Sequence, residues 1–386
     1  VTYRILVGLP SFNEADTIAR VAQDIDTAIV SLPFAAEAIL VNADSSSTDG
    51  TQAAFISVPT VSPKLVISTP HQAGKGTNWR ALLRLMPEQS ADSALFVDTD
   101  LAQVPESWVY ELVGAVRRGS DFAYPIRPPT WNGGDLTYQL AFPLLAGLFG
   151  SDLREPLCGD IALSSQAADA ILKETWSDDE LRFGVDFLFA SVAVTQVWTT
   201  VALTTRRRNK LRSFSIGSVG EYRMGAKFAE VSGAIRNRVA QRLRLAPPAT
   251  LERRPIPTPL DRTFVVPDYD QDITELAVST ARQLTADAKA EHLSTFPQPL
   301  QQRLLDHVSS GSAAQGLAWD LWRDCLFFWI TAEPSETIPV ELLETLFLNR
   351  VVGHHTEISG RTDWYSTVQN QADDVFAHRH RLWQNA

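Results

Sequence analysis

Asp98 and Asp100 stand one residue apart, directly after the apolar run Ala94 to Val97. A strand that ends in two carboxylates offers hard oxygen ligands, and a divalent cation held this way keeps positions open for phosphate and water. Diphosphate chemistry is therefore the first expectation at Asp98-Thr99-Asp100, with Asp100 as the principal metal ligand. Acidic residues also cap helices and fill turns, so the pair gains meaning only from the polar groups beside it. Such groups end the other apolar runs: Ser11 follows Tyr3 to Leu9, and Asn42 and Asp44 follow Ala38 to Val41. A further run, Lys64 to Ser68, lies between them and Asp98.

These runs alternate with helical patterns, which reads as a sheet with covering helices. Parallel strands would bring Ser11, Asn42, Asp44 and Asp98 together at one carboxyl edge, where open α/β sheets bind ligands. Between the first two runs, Ile18, Val21, Ile25 and Ile29 recur at helical spacing within Glu14 to Ile29, and Ser11 and Asn13 are the candidate caps. After Leu245 the prolines 247, 248, 255, 257 and 259 form a connector that cannot be helical throughout. Beyond it Trp319, Trp322, Leu326 and Trp329, and then Leu342, Leu343, Leu346 and Phe347, repeat as core faces of helices. The expected organisation is a catalytic α/β domain over 1–245 and a mainly helical domain over 246–386.

Composition narrows the partners. The 386 residues carry 45% hydrophobic and 20% charged residues, enough to bury a substantial core. A formal net charge of -11 opposes general binding to nucleic acid or anionic membrane, so an anionic substrate needs a local basic patch. Cys158 and Cys325 are the two cysteines and lack metal-ligand spacing, which favours a reducing, cytoplasmic setting. No apolar run reaches the length of a membrane span, and the first residues do not read as a signal peptide. The apolar helical tail could serve as a homodimer surface.

Four segments in order resemble the nucleotide-sugar glycosyltransferases of the GT-A fold, a mixed Rossmann-like sheet with flanking helices. Leu9-Pro10-Ser11-Phe12-Asn13-Glu14 is similar to the strand-end motif that contacts the nucleoside. Asp44-Ser45-Ser46-Ser47-Thr48-Asp49-Gly50 is similar to the segment whose acidic residue and neighbour hold base and ribose. Gly74-Lys75-Gly76 resembles the turn that approaches the diphosphate, and Asp98-Thr99-Asp100 completes the set. The resemblance implies a nucleoside diphosphate sugar as donor and Mg2+ or Mn2+ as cofactor. It assigns Leu9, Pro10, Ser11, Asn13, Glu14, Asp44, Ser45, Lys75, Asp98, Thr99 and Asp100 to donor binding, with Asp98 near the ribose.

Downstream, Pro156-Leu157-Cys158-Gly159-Asp160 and Phe183-Gly184-Val185-Asp186 look like motifs of the mannosylglycerate synthase and glucosyl-3-phosphoglycerate synthase families, which retain the anomeric configuration. By that analogy Leu157 and Gly159 join the donor site, and Asp160 and Asp186 are the catalytic carboxylates that bind sugar hydroxyls or the acceptor. A covalent double displacement on one of them is the less favoured route, since these families are thought to transfer on one face with the leaving phosphate taking the acceptor proton. Gly133-Gly134-Asp135-Leu136-Thr137 resembles the phosphoglycerate-binding turn and assigns Asp135, Leu136 and Thr137, with Arg127 upstream, to the acceptor.

Two departures qualify the analogy. Asp135 stands where an arginine would be, and a carboxylate there repels phosphoglycerate, which favours glycerate or a glycoside of it. The families also supply a histidine after the last strand, whereas this chain reads Thr205-Arg206-Arg207-Arg208-Asn209-Lys210. Arg208, Asn209 and Lys210 would then meet phosphate or replace part of the metal's charge, and strict metal dependence is in question. The leading expectation is a retaining hexosyltransferase moving mannose or glucose to a small polar acceptor, suited to compatible-solute synthesis. The alternatives are a transferase acting on phosphoglycerate, a polysaccharide or a lipid phosphate, and a catalytically silent sugar-nucleotide-binding protein.

Overall fold

The structure is a computed structural model describing residues 2–71, 74–126, 135–204, 224–245, 252–256, 271–333 and 338–383. Two compact units divide it. The first comprises Val1–Pro128, Leu153–Ser213 and Pro255–Leu260, and the second Pro129–Asp152, Phe214–Arg254 and Asp261–Ala386.

The first unit is built on seven strands: β1 (Tyr3–Ser11), β2 (Ala36–Asp44), β3 (Lys64–Ser68), β4 (Ser93–Phe96), β5 (Phe122–Ile126), β6 (Ile161–Ser164) and β7 (Thr200–Thr204). Their order is β3-β2-β1-β4-β6-β5-β7. β3, β2, β1 and β4 run parallel, β5 and β7 pair in parallel, and β6 lies antiparallel between β4 and β5. Helices α1 (Ile18–Val30), α2 (Thr51–Ser57), α3 (Lys75–Leu85), α4 (Glu106–Arg117), α6 (Ser165–Leu172) and α7 (Val185–Thr195) flank this sheet. Ile18, Val21, Ile25 and Ile29 bury the expected face of α1 against the strand residues Ile5, Val7 and Leu9. The mixed α/β sheet with flanking helices is the architecture the motifs imply.

Helix α1 begins later than its apolar spacing suggests. Thr17 is its N-cap residue, and neither Ser11 nor Asn13 caps it. Residues 13–15 instead donate backbone N–H groups to Ser47, Thr51 and Asp49, which draws them into the loop after β2.

The second unit is helical. Its first element is a π-helical turn at Thr137–Ala141 that runs into α5 (Phe142–Phe149); α8 (Ala226–Leu245), α9 (Gln271–Lys289), α10 (Gln298–Ser309), α11 (Trp319–Thr331), α12 (Val340–Ile358), α13 (Trp364–His378) and α14 (His380–Trp383) follow. By compactness 129–152 and α8 fall in this unit, alongside most of the residues that follow 245. The physical reason is visible in α5: all eight of its residues are buried, and a helix apolar on every side needs neighbours on every side. Within this unit Tyr138, Phe142 and Ala146 pack against Ile358, Trp364, Val368 and Ala372. Among the described residues, no helix is long and apolar enough to cross a membrane.

Candidate functional site

The parallel register explains why polar groups gather at one edge of the first unit. Ser11 pairs in register with Asp44, and Asp44 with Ser68. Asp44 is fully buried and accepts from Ser11 Oγ (2.9 Å), Ser47 Oγ (2.5 Å), Ser47 N (2.8 Å) and Gln52 Nε2 (2.8 Å). Burial alone would raise its pKa, but the bonds from Ser47, Gln52 and Ser11 hold its carboxyl below the ordinary value. With two donors bonded to each oxygen, Asp44 spends its capacity on shaping the loops.

Asn78, on the buried side of α3, joins the same frame. It donates to Ser45 Oγ (3.0 Å) and accepts from Thr69 Oγ1 (2.6 Å). Asn13 and Glu14 are locked to the β2 loop through Thr48 N to Asn13 Oδ1 (3.0 Å) and Glu14 N to Thr51 Oγ1 (2.8 Å). The Leu9 side chain is fully buried in the core, so only its backbone faces this edge, and its carbonyl accepts from Asn42 Nδ2. Pro10 likewise contributes a carbonyl, which accepts from Thr99 Oγ1 at 2.9 Å.

The antiparallel strand places the next group of residues. Phe96 opposes Ile161, so the chain preceding β6 must run back past the chain leaving β4. Asp160, fully buried, accepts the Asp98 N–H at 2.9 Å through Oδ1 and so orients the Asp98-Thr99-Asp100 turn. A Cβ at Gly159 would come within 2.3 Å of Asp98 Oδ2, so glycine alone lets the carboxylate lie there. Cys158, where the resembling motif has glycine, is buried with its Sγ 3.3 Å from the Asp160 carbonyl. Leu157 is partly exposed beside them, as is Asp100.

Lys75 draws the motifs together. Its Nζ lies 3.0 Å from Asp98 Oδ1 and 3.1 Å from Asp186 Oδ1, with Asp186 Oδ2 at 3.3 Å. Desolvation would lower the pKa of this ammonium; the charges of Asp186 and Asp98 reverse that and raise it above its ordinary value. Three elements deliver the three groups, and one aromatic cluster fixes those elements. Trp79 of α3 packs at 4.8 Å between ring centroids against both Phe96 of β4 and Phe189 of α7, and Lys75 Nζ sits 4.9 Å from the Trp79 ring. Asp186 occupies the first turn of α7, where the helix dipole favours a carboxylate.

The glycines around Lys75 serve close packing. A Cβ on Gly76 would stand 1.9 Å from the Glu180 carbonyl, and Gly74 has a φ of +94° with the Arg182 backbone 2.9 Å away. Gly76 N and Thr77 N, which begin α3, donate to the carbonyls of Arg182 and Leu181. That strap satisfies two helix-end groups that could have met a phosphate.

Between Asp98 and Asp186 the place a divalent cation would share is taken by Lys75. Asp98 and Asp186 direct oxygens onto Lys75, and among the described residues no group of three or more His, Cys, Asp or Glu is arranged to hold a metal. Arg127, Arg208, Asn209 and Lys210, expected at the acceptor and phosphate, lie outside the described residues. Asp135, Leu136 and Thr137 fall in the second unit and are buried there, with Asp135 Oδ1 3.3 Å from His355 Nε2. His355, Asn78, Ser47 and Trp79 were not singled out as site residues. A polar Asn78 on the buried face of an amphipathic helix was the one available signal.

The sheet and its flanking helices thus define a mixed α/β architecture whose polar motif residues gather at one carboxyl edge. Among solved structures, the chain is similar to glucosyl-3-phosphoglycerate synthase from Mycobacterium tuberculosis in complex with phosphoglyceric acid, at 23% identity and a TM-score of 0.46 over 62% of this chain and 80% of that one. It is similar to the same synthase with Mg2+ and uridine diphosphate at 23% identity and a TM-score of 0.46, covering 62% of this chain and 79% of that one. The complex with Mn2+, uridine-diphosphate-glucose and phosphoglyceric acid matches at 22% identity and a TM-score of 0.45, covering 62% and 80%. No family model and no curated protein matches the chain.

Proposed function

We propose that this protein is a retaining hexosyltransferase that moves a hexose from a nucleoside diphosphate sugar to a small polar acceptor such as glycerate or a glycerate glycoside. The observation that carries the reading is the convergence of Lys75, Asp98 and Asp186 at the carboxyl edge of the sheet, with Asp160 and Gly159 holding Asp98 in place. In this reading the loops built on Ser11, Asn13, Asp44 and Ser45 receive the nucleoside. Lys75 meets the diphosphate, and Asp186 accepts hydrogen bonds from sugar hydroxyls. Asp160 acts through Asp98, as a positioning residue. Transfer then depends on orientation and charge stabilisation, with the departing diphosphate taking the acceptor proton.

On the acceptor side the reading rests on sequence alone, since Asp135 stands where the resembling phosphoglycerate-binding turn has an arginine. A carboxylate at 135 disfavours a phosphorylated acceptor, which supports glycerate over phosphoglycerate. Release of nucleoside diphosphate from UDP-, GDP- and ADP-sugars, each offered glycerate, phosphoglycerate or glucosylglycerate with and without manganese, tests the whole reading. Turnover of one pair, with the product keeping the donor's anomeric configuration by NMR, is the expected result. Donor binding without turnover on any acceptor would favour a silent sugar-nucleotide-binding protein.

A further inference from the structure

A metal-binding edge and a lysine-bridged edge use the same carboxylates differently. Asp98 and Asp186 reach the chain's sheet edge from strand β4 and helix α7, and their oxygens converge on one point, each about 3 Å from Lys75 Nζ. Backbone contacts and packing place both carboxylates at this point. Asp98 is seated on Gly159 and its backbone is held by Asp160; Asp186 is fixed by α7, whose Phe189 packs on Trp79. The lysine is equally constrained, since Gly74 and Gly76 press the start of α3 against residues 180–182. The ammonium rests above the Trp79 ring.

We infer that Lys75 is the resident cation of this edge: its ammonium occupies the point between Asp98 and Asp186 where a divalent metal shared by these two carboxylates would sit, so the nucleotide-free chain excludes Mg2+ and Mn2+ from that point, and removing the ammonium charge creates a metal site there. One ammonium facing two carboxylates leaves a net negative charge. A neutral side chain at 75 leaves two, which is the charge a divalent ion neutralises. A metal at the same point needs oxygens at roughly 2.1 Å, so each carboxylate has to move inward by about 1 Å. The loss of the lysine head group supplies that room. The inference concerns the edge proposed to bind the donor, but its test uses metal alone, so its failure and the failure of the transferase reading are separable.

The experiment is a Mn2+ titration of the nucleotide-free protein, following free Mn2+ by its electron paramagnetic resonance signal and the melting temperature in parallel. Wild type is expected to take up no Mn2+ at this edge and to melt at the same temperature throughout. Lys75→Met is expected to bind Mn2+ at least about tenfold more tightly than wild type, since affinity at oxygen sites follows the uncompensated ligand charge, and to melt higher as Mn2+ is added. Lys75→Arg, which keeps the positive charge, is expected to behave as wild type. If Lys75→Met does not fold, Lys75→Gln, which keeps a hydrogen-bond donor without the charge, provides the same readout. Wild-type Mn2+ uptake that disappears in Asp98→Asn would overturn the inference. So would neutral variants that bind Mn2+ no better than wild type.

Discussion

Lys75, mostly buried, and Arg350, fully buried, are both cations paired with carboxylates, yet they stand in opposite situations. In the helical unit, the fully buried Arg350 donates to Gln139 Oε1 (2.8 Å), to the Leu317 carbonyl (2.7 Å) and, fork-fashion, to Glu357 at 2.6 and 2.5 Å. Its hydrogen bonds are shared among a side-chain amide, a backbone carbonyl and one carboxylate, and Trp322 Nε1 donates to the Gln139 carbonyl at 2.6 Å. In the sheet unit, Lys75 faces two carboxylates at once, beside a third acidic residue, Asp100, that is partly exposed. The first arrangement is balanced in charge, one cation against one carboxylate; the second is acidic and lies at the edge where strands end. A buried ion pair is therefore a poor guide to function by itself. What separates these two is residual charge and position on the fold.

The comparison predicts that the two clusters fail differently. Arg350→Ala removes the buried bonds to Gln139, the Leu317 carbonyl and Glu357 and should lower unfolding free energy by about 1–3 kcal/mol in a urea titration. The nucleotide affinity of the folded fraction should be unchanged, and an affinity that falls in step with stability would break the distinction. Gly159→Ala should act on affinity. Its Cβ would displace the Asp98 carboxylate, and an overpacking cost of about 1–3 kcal/mol concentrated there should reduce nucleotide affinity tenfold or more by calorimetry. Affinity, rather than the size of the stability loss, separates it from Arg350→Ala.

His354 gives the smallest effect. Burial, helped by the charges of Arg350 and His355, pushes its pKa well below the ordinary histidine value. Below about pH 6.5 the unfolded chain binds a proton here that the folded chain does not, so this residue makes stability fall as pH drops. His354→Leu should flatten the decline in unfolding free energy between pH 6.5 and 5 by up to about 1.4 kcal/mol per pH unit. A decline as steep as that of wild type would exclude His354 as its source.

Much of the sheet could be read in the sequence because parallel strands bury both faces and leave continuous apolar runs. Tyr3 to Leu9 and Lys64 to Ser68 appear as β1 and β3 with at most two residues added. The direction of β6 could not be read. Four buried residues, Ile161–Ser164, carry no mark of running antiparallel, and that reversal is what sets Gly159 and Asp160 beside Asp98. The motif residues could be named one by one, but the Lys75–Asp186 bridge joins positions 111 apart in sequence and depends on the packing of Trp79 against Phe96 and Phe189. The grouping of α5 with the helical unit is hidden from the sequence for a similar reason. Prolines mark where a chain is extended, whereas compactness follows from where an apolar helix such as α5 finds cover.

The most direct test of the central claim is calorimetric titration of UDP, GDP and ADP into the wild-type protein and into Asp98→Asn and Asp100→Ala. The account predicts that wild type binds at least one of these nucleotides and that both substitutions change its affinity by about tenfold or more, as expected when a charged group at a diphosphate site is removed. No binding of any nucleoside diphosphate by wild type, or binding that neither substitution alters, would contradict the assignment of this sheet edge as the donor site.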